Sequence, residues 1–162
     1  MDDDQYRKVL NAAFRFISIR PRSRSEISAY LTKKSTNETV KKAVLERLTE
    51  LGYASDTEFA RWWSRSRRSA KPYGRRVIAM ELRRKGVARE VSEQILSEAV
   101  GPDTESEREL AARAAAKHLP KLRSQSLREI RNKLYALLYR RGFDTETAVA
   151  AIDELLGKDY NT

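Results

Sequence analysis

The chain has 162 residues, of which 40% are apolar and 35% charged, and it carries a net charge of +10 and no cysteine. This composition favours helices with modest cores, and it excludes a disulfide framework and thiolate chemistry. No apolar run approaches the roughly 20 residues of a membrane span. No apolar core of signal-peptide length follows the acidic start, so we expect a cytoplasmic protein.

The excess positive charge lies in one segment, between Arg61 and Arg89. This segment holds eleven Lys and Arg residues and a single acid, Glu81, while 22 of the 33 basic and 22 of the 23 acidic residues lie elsewhere. Such a segment predicts an acidic partner, which could be a nucleic acid, an anionic membrane or an acidic protein surface. A solvated helical surface could carry the same residues, but it would not require all the excess charge in one place.

The first third of the chain predicts three helices. Residues 6–19 form the first, and Pro21 ends it. A capping box at residues 23–26 (Ser-Arg-Ser-Glu), in which the hydroxyl and the carboxylate satisfy backbone N–H groups, begins a short second helix. The third begins near Asn37 and ends at Gly52, because glycine readily adopts the left-handed conformation of a helix end. The apolar positions expected to pack together are Leu10, Phe14, Ile17, Ile27, Leu31, Val40, Val44, Leu48 and Leu51.

The fourth helix begins at a second capping box, residues 55–58 (Ser-Asp-Thr-Glu). Steps of three and four residues return to one helical side, so its aromatic and basic residues separate. The aromatic side carries Phe59, Trp62, Trp63 and Ser66, and the basic side carries Arg61, Arg65 and Arg68. We expect the tryptophans in the core rather than on a base-stacking surface, because they share the side of Phe59.

The loop at residues 70–74 (Ala-Lys-Pro-Tyr-Gly) ends this helix. The fifth helix ends at Gly86, and the sixth spans about residues 89–100, before a break at Gly101-Pro102. The fifth helix is predicted to bury Ile78 and Leu82 and to expose Arg76 and Arg83.

The last third predicts three more helices. A capping box at residues 104–107 (Thr-Glu-Ser-Glu) begins an Ala-rich helix that reaches about residue 119, and residues 120–126 form a loop. A long helix spans about residues 127–141, and the last spans about residues 145–156. The long helix carries Ile130, Leu134, Leu137 and Leu138 at helical spacing. No segment alternates with the two-residue period of a strand, so the chain is predicted to be all-α.

The helices repeat in groups of three. An offset of 51 residues places Pro21, Ile27 and Leu31 on Pro72, Ile78 and Leu82, and a further offset of 56 places Ile78, Leu82 and Gly86 on Leu134, Leu138 and Gly142. The predicted repeats are residues 1–54, residues 55–101 with the basic centre, and residues 102–162. Repeats of this size have small cores, so we expect neighbours to pack end to end. A single helical bundle with chance coincidences is the alternative.

Three motifs carry a family likeness. Residues 52–60 (Gly-Tyr-Ala-Ser-Asp-Thr-Glu-Phe-Ala) match a pattern of glycine, an aromatic residue, then Asp and Phe-Ala. Tyr73-Gly74, Ile78, Glu81-Leu82 and Lys85-Gly86-Val87 follow at the expected spacing, and residues 139–143 (Tyr-Arg-Arg-Gly-Phe) are similar to a third-repeat signature. In this order, the motifs resemble RecX, the bacterial regulator of the RecA recombinase, over nearly the whole chain. The chain departs from the pattern at Ser35, where the other repeats have a glycine.

The resemblance implies tandem three-helix repeats, similar to helix-turn-helix units, in an elongated and curved arrangement. It also implies binding to RecA filaments along their helical groove, with limited ATP hydrolysis and strand exchange and with filament disassembly. The family has no single catalytic or ligand motif, so the resemblance assigns no catalytic residue.

The residues themselves also favour a non-enzymatic protein. The only histidine, His118, has no cysteine or second histidine to complete a metal site, and we expect it to be an ordinary surface or packing residue. Gly74 stands alone rather than in a phosphate-binding loop. Serines such as Ser64 and Ser66 have no nearby base to activate them. We therefore predict no catalytic residue, cofactor or metal.

The candidate site is a basic surface on the fourth and fifth helices and the loop that joins them. We expect one continuous patch that binds acidic residues of a protein filament, the DNA inside it, or both, because guanidinium groups bind carboxylates and phosphates. Its predicted members are Arg61, Arg65, Arg68, Lys71, Tyr73, Arg75, Arg76 and Arg83. The protein is expected to act as a monomer.

Two other functions remain open. Three-helix units could read DNA directly as helix-turn-helix proteins, although the start of the fifth helix offers Arg75 and Arg76 without Asn or Gln beside them. Similar affinity for DNA with and without the recombinase would favour that function. A membrane-surface protein is disfavoured, because the basic helices lack exposed large apolar residues.

Overall fold

The computed structural model describes residues 3–98 and 105–160. These residues form nine α-helices and one short 3-10 helix, and they contain no strand, which confirms the all-α prediction. No helix in these two ranges combines the length and the apolar composition that a membrane span requires. The α-helices are α1 (Asp3–Ser18), α2 (Arg24–Lys34), α3 (Glu38–Glu50), α4 (Asp56–Ala70), α5 (Arg75–Arg84), α6 (Arg89–Glu98), α7 (Glu107–Ala116), α8 (Leu127–Arg140) and α9 (Thr145–Tyr160), and the 3-10 helix between α7 and α8 is Leu119–Leu122.

Helix starts and ends follow the local sequence where side chains or glycines satisfy the free backbone groups. Ser23 and Glu26 form the predicted capping box of α2. The side chain of Asn37 accepts from two backbone N–H groups at the start of α3. The glycines that follow α3, α5 and α8 have φ values of 78°, 78° and 89°. The sequence predictions for these helix ends are therefore confirmed.

Three predicted boundaries in the last third are wrong. The capping box of α7 consists of Ser106 and Glu109, because the Glu109 carboxylate accepts from the Ser106 N–H at 2.7 Å. The predicted cap residue Thr104 and the break at Gly101-Pro102 lie outside the described residues. The predicted loop at residues 120–126 includes most of the 3-10 helix, and α9 continues to Tyr160.

The buried side of α4 differs from the predicted one. Ser66 is exposed, and Ala60 and Ser64 are buried. At about 100° per residue, this places the centre of the buried side roughly 100° from the predicted aromatic side. Trp62 and Trp63 are half-buried rather than part of the core, so the prediction that places them in the core is wrong.

The described residues of Met1–Trp62 and Leu82–Ile95 form one compact unit. Its core lies between α1, α2 and α3. Leu51 was expected in this core but is 43% exposed, because it is the C-cap residue of α3 and follows the last helical turn. The buried apolar residues of the core are Val9, Ala13, Ile27, Leu31, Val40, Val44, Leu48 and Ala54.

Glu26 connects three segments of this unit. Its carboxylate lies 2.8 Å from the Arg20 guanidinium and 3.2 Å from the Lys85 ammonium group. The Ser23 hydroxyl donates to the Lys85 carbonyl oxygen at 2.6 Å. Burial opposes the ionisation of Glu26, but hydrogen bonds from Arg20, the Ser23 N–H and Lys85 together lower its pKa to about 2. The ionised carboxylate therefore holds the turn after α5 in place through its ion pair with Lys85.

The described residues of Trp63–Glu81 and Leu96–Thr162 form the second unit. Its core is separate from the first, which disfavours a single helical bundle. The division passes through α4, α5 and α6, so these helices contribute residues to both units. The second core lies between α7, α8 and α9 and consists of Leu110, Ala111, Ala114, Ala115, Leu119, Ile130, Leu134, Leu138, Phe143, Ala148, Ala151, Ile152 and Leu156.

Candidate partner-binding surface

Two glycines dock the start of α5 onto the turn that follows α8. The Gly74 N–H donates to the Arg141 carbonyl at 2.8 Å, and the Arg76 N–H donates to the Gly142 carbonyl at 3.3 Å. A Cβ atom on Gly74 would lie 2.4 Å from the Gly142 oxygen, so the two backbones touch directly. Only glycine permits so close an approach. This contact fixes the positions from which Arg75 and Arg76 extend.

Glu107, the first residue of α7, binds residues on both sides of the loop between α4 and α5. Its carboxylate accepts from the Arg68 guanidinium at 2.7 Å and from the Arg75 backbone N–H at 3.2 Å. Burial raises the pKa of Glu107, and the nearby charges of Arg68 and Arg75 oppose this only in part. The Arg68 side chain is only 12% exposed. Although the sequence predicts Arg68 as a surface contact, the structure commits its guanidinium to Glu107.

Glu81, the single acid of the basic segment, lies on α5 and binds two residues of α4. Its carboxylate accepts from the Trp63 indole N–H at 2.8 Å and from the Arg67 Nε at 2.7 Å. The Arg67 guanidinium lies 4.9 Å from the Trp63 ring and 5.1 Å from the Tyr73 ring. Cation–π contacts at these distances are favourable. Tyr73 is therefore half-buried against Arg67 and serves to hold the loop in place.

Arg76 is exposed but held against α8. Its guanidinium carbon lies 4.2 Å from the centre of the Tyr139 ring, and its Nη2 donates to the Tyr139 carbonyl oxygen. Tyr139 is itself 47% exposed. One face of the Arg76 guanidinium is thus covered by an aromatic ring, which restricts its direction without burying it.

The remaining predicted residues are exposed arginines and a lysine. Arg65, Lys71 and Arg75 belong to the second unit, and their side chains form no ion pair with any acid in the described ranges. Arg61 and Arg83 belong to the first unit. Arg61 pairs with Glu58, one turn away, at 2.6 Å, and Arg83 is exposed on α5.

The basic segment therefore contains two kinds of cation. Arg65, Lys71, Arg75 and Arg83 are exposed and available, whereas internal acids bind Arg67 and Arg68. Sequence reasoning missed the positioning roles of Arg67, Glu81 and Glu107. The only signal for any of them was that Glu81 is the single acid in the segment. Glu107 gave none, because its contact with Arg68 spans 39 positions of the chain.

Three protein-family models match the chain in consecutive order. They are described as the first, second and third three-helix domains of RecX, and they match residues 10–48, 55–96 and 105–152. The prediction of three tandem three-helix units is therefore confirmed, whereas the repeat boundaries after residues 54 and 101 remain a prediction.

Relatives of known description match most of the chain. A protein of Prosthecochloris aestuarii described as regulatory protein RecX is 39% identical, over 96% of this chain and 99% of its own length. A protein of Mycolicibacterium smegmatis with the same description is 33% identical, over 92% of this chain and 80% of its own length. The crystal structure of RecX from Lactobacillus salivarius aligns with a TM-score of 0.82 and 25% identity, covering 94% of this chain and 97% of that one.

Proposed function

Because this chain belongs to the RecX family, we propose that it is a regulator without enzymatic activity that binds filaments of the RecA recombinase on DNA. In this role it mainly inhibits the ATPase and strand-exchange activities of the filament, and so regulates DNA repair and recombination in the cytoplasm. The ordered match of three RecX domains between residues 10 and 152 is the observation that carries the proposal. The two relatives above are both described as regulatory proteins.

The exposed cations of the second unit supply the proposed contact. Arg65 extends from α4, Lys71 lies in the loop before α5, and Arg75 and Arg76 begin α5. The Tyr139 ring restricts the direction of the Arg76 guanidinium. Guanidinium groups bind phosphates and carboxylates through parallel hydrogen bonds, and an ammonium group adds a point charge. These side chains therefore suit DNA phosphates in the filament, acidic residues of the recombinase, or both.

The other predicted residues have two roles in this proposal. Arg61 and Arg83 are further exposed contacts, contributed by the first unit. Arg68 and Tyr73 are positioning residues, since Arg68 binds Glu107 and Tyr73 packs on Arg67. Because a filament offers the same surface at each subunit, several weak contacts on one chain can add up to strong binding by a monomer.

An ATPase titration tests the proposal. Wild-type protein is added to preformed recombinase filaments on single-stranded DNA, and ATP hydrolysis is expected to fall as the protein approaches stoichiometry with the recombinase. The triple variant Arg65→Gln, Lys71→Gln, Arg75→Gln should need about tenfold more protein for the same inhibition, because three lost charged contacts of about 0.5 kcal/mol each sum to about 1.5 kcal/mol. These three side chains are exposed, so the variant should retain the wild-type fold.

A matched triple variant controls for net charge. The control variant also loses three positive charges, but at exposed positions outside the basic segment: Lys8→Gln, Arg128→Gln and Lys133→Gln. It should inhibit the ATPase as strongly as the wild type does. Unchanged ATPase and strand exchange at stoichiometric wild-type protein would refute the regulator function. An equal loss of ATPase inhibition in both triple variants would refute the role of the basic segment.

Direct DNA binding without the recombinase is the competing function. Affinity for bare single-stranded DNA and for the recombinase filament on the same DNA separates the two functions. We expect much tighter binding to the filament. Equal affinities would favour a helix-turn-helix DNA-binding protein instead.

A further inference from the structure

Tyr139 and Arg76 form an exposed pair at the end of α8. The Arg76 guanidinium carbon lies 4.2 Å from the centre of the Tyr139 ring, so the two planar groups are in contact. Tyr139 is 47% exposed, and the Arg76 side chain is exposed as well. An exposed aromatic ring beside an exposed cation offers a partner both an apolar plane and a positive charge.

Backbone contacts hold this pair in position. The Nη2 atom of Arg76 donates to the Tyr139 carbonyl oxygen, and the Arg76 backbone N–H donates to the Gly142 carbonyl at 3.3 Å. Both ends of the Arg76 residue are thus attached to the main chain at the end of α8. Because the pair is positioned in advance, a partner does not have to order either side chain, which lowers the cost of binding.

A second ring extends the pair along α8. Tyr135 lies one turn before Tyr139, the two ring centres are 6.1 Å apart, and the ring planes differ by 21°. The Tyr135 hydroxyl lies 3.0 Å from the Thr145 hydroxyl, a hydrogen bond that connects α8 to the start of α9. The same side of α8 therefore carries two nearly parallel rings, of which the one beside Arg76 is the more exposed.

The chemistry of the pair matches a nucleobase. A carboxylate would bind the edge of the guanidinium and leave the ring unused, and an aliphatic side chain would use the ring but not the charge. An unpaired base has a planar π surface that stacks on tyrosine rings and on guanidinium planes. Phosphates on either side of such a base need cations, and the chain neighbours Arg75 and Arg140 are both exposed.

We propose that Tyr139 and Arg76 form a stacking site for an unpaired base of single-stranded DNA, with Arg75 and Arg140 beside it for the adjoining phosphates. The site adds a base contact to the charged contacts of the second unit. It tolerates any sequence, since every base has a π face. The inference deepens the proposed function, on which it rests for the DNA, but the site can be tested without the recombinase.

An abasic strand separates the base from the phosphates. A 20-nucleotide oligothymidylate and an abasic strand of the same length carry the same phosphates, but only the first carries bases. Fluorescence anisotropy at low salt gives the affinity of the protein for each strand. Wild-type protein should bind oligothymidylate about tenfold more tightly, because the stacking of one base is worth at least about tenfold in affinity. Equal affinities, or no binding to oligothymidylate, would overturn the site.

Three variants assign the preference for bases to the pair. Tyr139→Leu removes the ring and should bind both strands alike. Arg76→Lys keeps the charge but not the guanidinium plane, so it should at least halve the preference while its affinity for the abasic strand stays that of the wild type. The control Tyr53→Leu removes a 54% exposed ring of the first unit and should keep the full preference.

The folded state of each variant is checked by circular dichroism. If Tyr139→Leu fails to fold, Arg76→Lys decides the outcome. A full preference in Arg76→Lys and in folded Tyr139→Leu would overturn the assignment to the pair. A Tyr139 ring that contacts a protein instead would give weaker ATPase inhibition in Tyr139→Leu while wild type and variant each bind both strands alike, and this result would also overturn the site.

The ATPase titration separates this inference from the proposed function. If the wild type shows no preference for bases but inhibits the recombinase ATPase, only the stacking site is refuted. If the preference is present and depends on Tyr139 while the ATPase is not inhibited, only the regulator function is refuted.

Discussion

At the residue scale, two acids determine which arginines of α4 can reach a partner. Glu81 binds Arg67, and Glu107 binds Arg68. Removing either acid would leave a partly buried guanidinium without its anion, which costs more than the loss of a surface pair. The segment therefore has fewer positive charges available to a partner than its sequence contains. Arg65 and Arg75 remain available because no acid in the described ranges forms an ion pair with them.

The first prediction at this scale concerns Glu26 and acid stability. Because its pKa is about 2 in the folded protein against 4.5 ordinarily, the ionised group stabilises the fold above about pH 4.5. That stabilisation is lost as the pH falls towards 2, since the folded protein must then take up the proton. Glu26→Gln should lower the free energy of unfolding by about 1–2 kcal/mol at pH 6. Its stability should also change less than that of the wild type between pH 5 and pH 2.

Denaturation at several pH values measures this difference. Glu46→Gln is the control, because Glu46 is exposed and lies 3.9 Å from the Lys42 ammonium group. Its acid profile should parallel that of the wild type. A Glu26→Gln profile that also runs parallel to the wild type would contradict the assigned role of Glu26.

At the scale of the elements, close backbone contact rather than side-chain packing sets the start of α5. Gly74 and Gly142 meet with no room for a Cβ atom, and a Cβ atom on Gly142 would lie 2.5 Å from the Val77 nitrogen. The Gly142 φ of 89° is also unfavourable for any other residue. Two glycines thus connect the turn after α8 to the helix that carries Arg75 and Arg76.

Gly74→Ala is therefore expected to destabilise the protein. The added methyl group must push α5 away from the Gly142 carbonyl, which should cost about 1–3 kcal/mol. Gly157→Ala is the matched control, because Gly157 lies near the end of α9 and a Cβ atom there meets nothing within 4 Å. It should be neutral or stabilise by up to about 1 kcal/mol. Thermal unfolding followed by circular dichroism compares the two, and equal melting temperatures would contradict the close contact.

At the scale of the whole molecule, the chain has two separate cores and one strongly basic segment. Each unit also contains a contact between residues distant in sequence, Lys85 with Glu26 in the first unit and Arg76 with Tyr139 in the second. All of the net charge comes from the segment whose residues contribute to both units. The exposed cations of this segment are therefore divided between the two units, with Arg61 and Arg83 in the first and Arg65, Lys71, Arg75 and Arg76 in the second.

Salt dependence of filament binding tests the whole-molecule role of this charge. If Arg65, Lys71 and Arg75 bind phosphates of single-stranded DNA, each contact contributes about 0.7 to the slope of log affinity against log salt concentration. The triple Gln variant at these positions should therefore have a slope smaller by about 2. Binding isotherms at several sodium chloride concentrations give both slopes. Parallel slopes would show that these side chains contact no phosphate and would favour acidic residues of the recombinase.

Local sequence determined the helices, the glycine turns and the position of the charge. Each of these depends on residues within a few positions of one another, as in the boxes of Ser23 with Glu26 and of Ser126 with Glu129. The second of these boxes is not among the sequence predictions above, although its two residues stand at the required spacing. The motif order was likewise enough to predict the family and its three-helix units.

Only the tertiary structure decided which charges are free and which are committed. Arg76 contacts Tyr139 from 63 positions away, and Arg68 meets Glu107 from 39 positions away. The burial of Arg141 depends in the same way on the elements that pack around the end of α8. Helical periodicity gives the side of a helix on which a residue lies, but not the element that covers that side. The pairing of charges is therefore a property of packing, since desolvation and ion-pair distances exist only once distant segments meet.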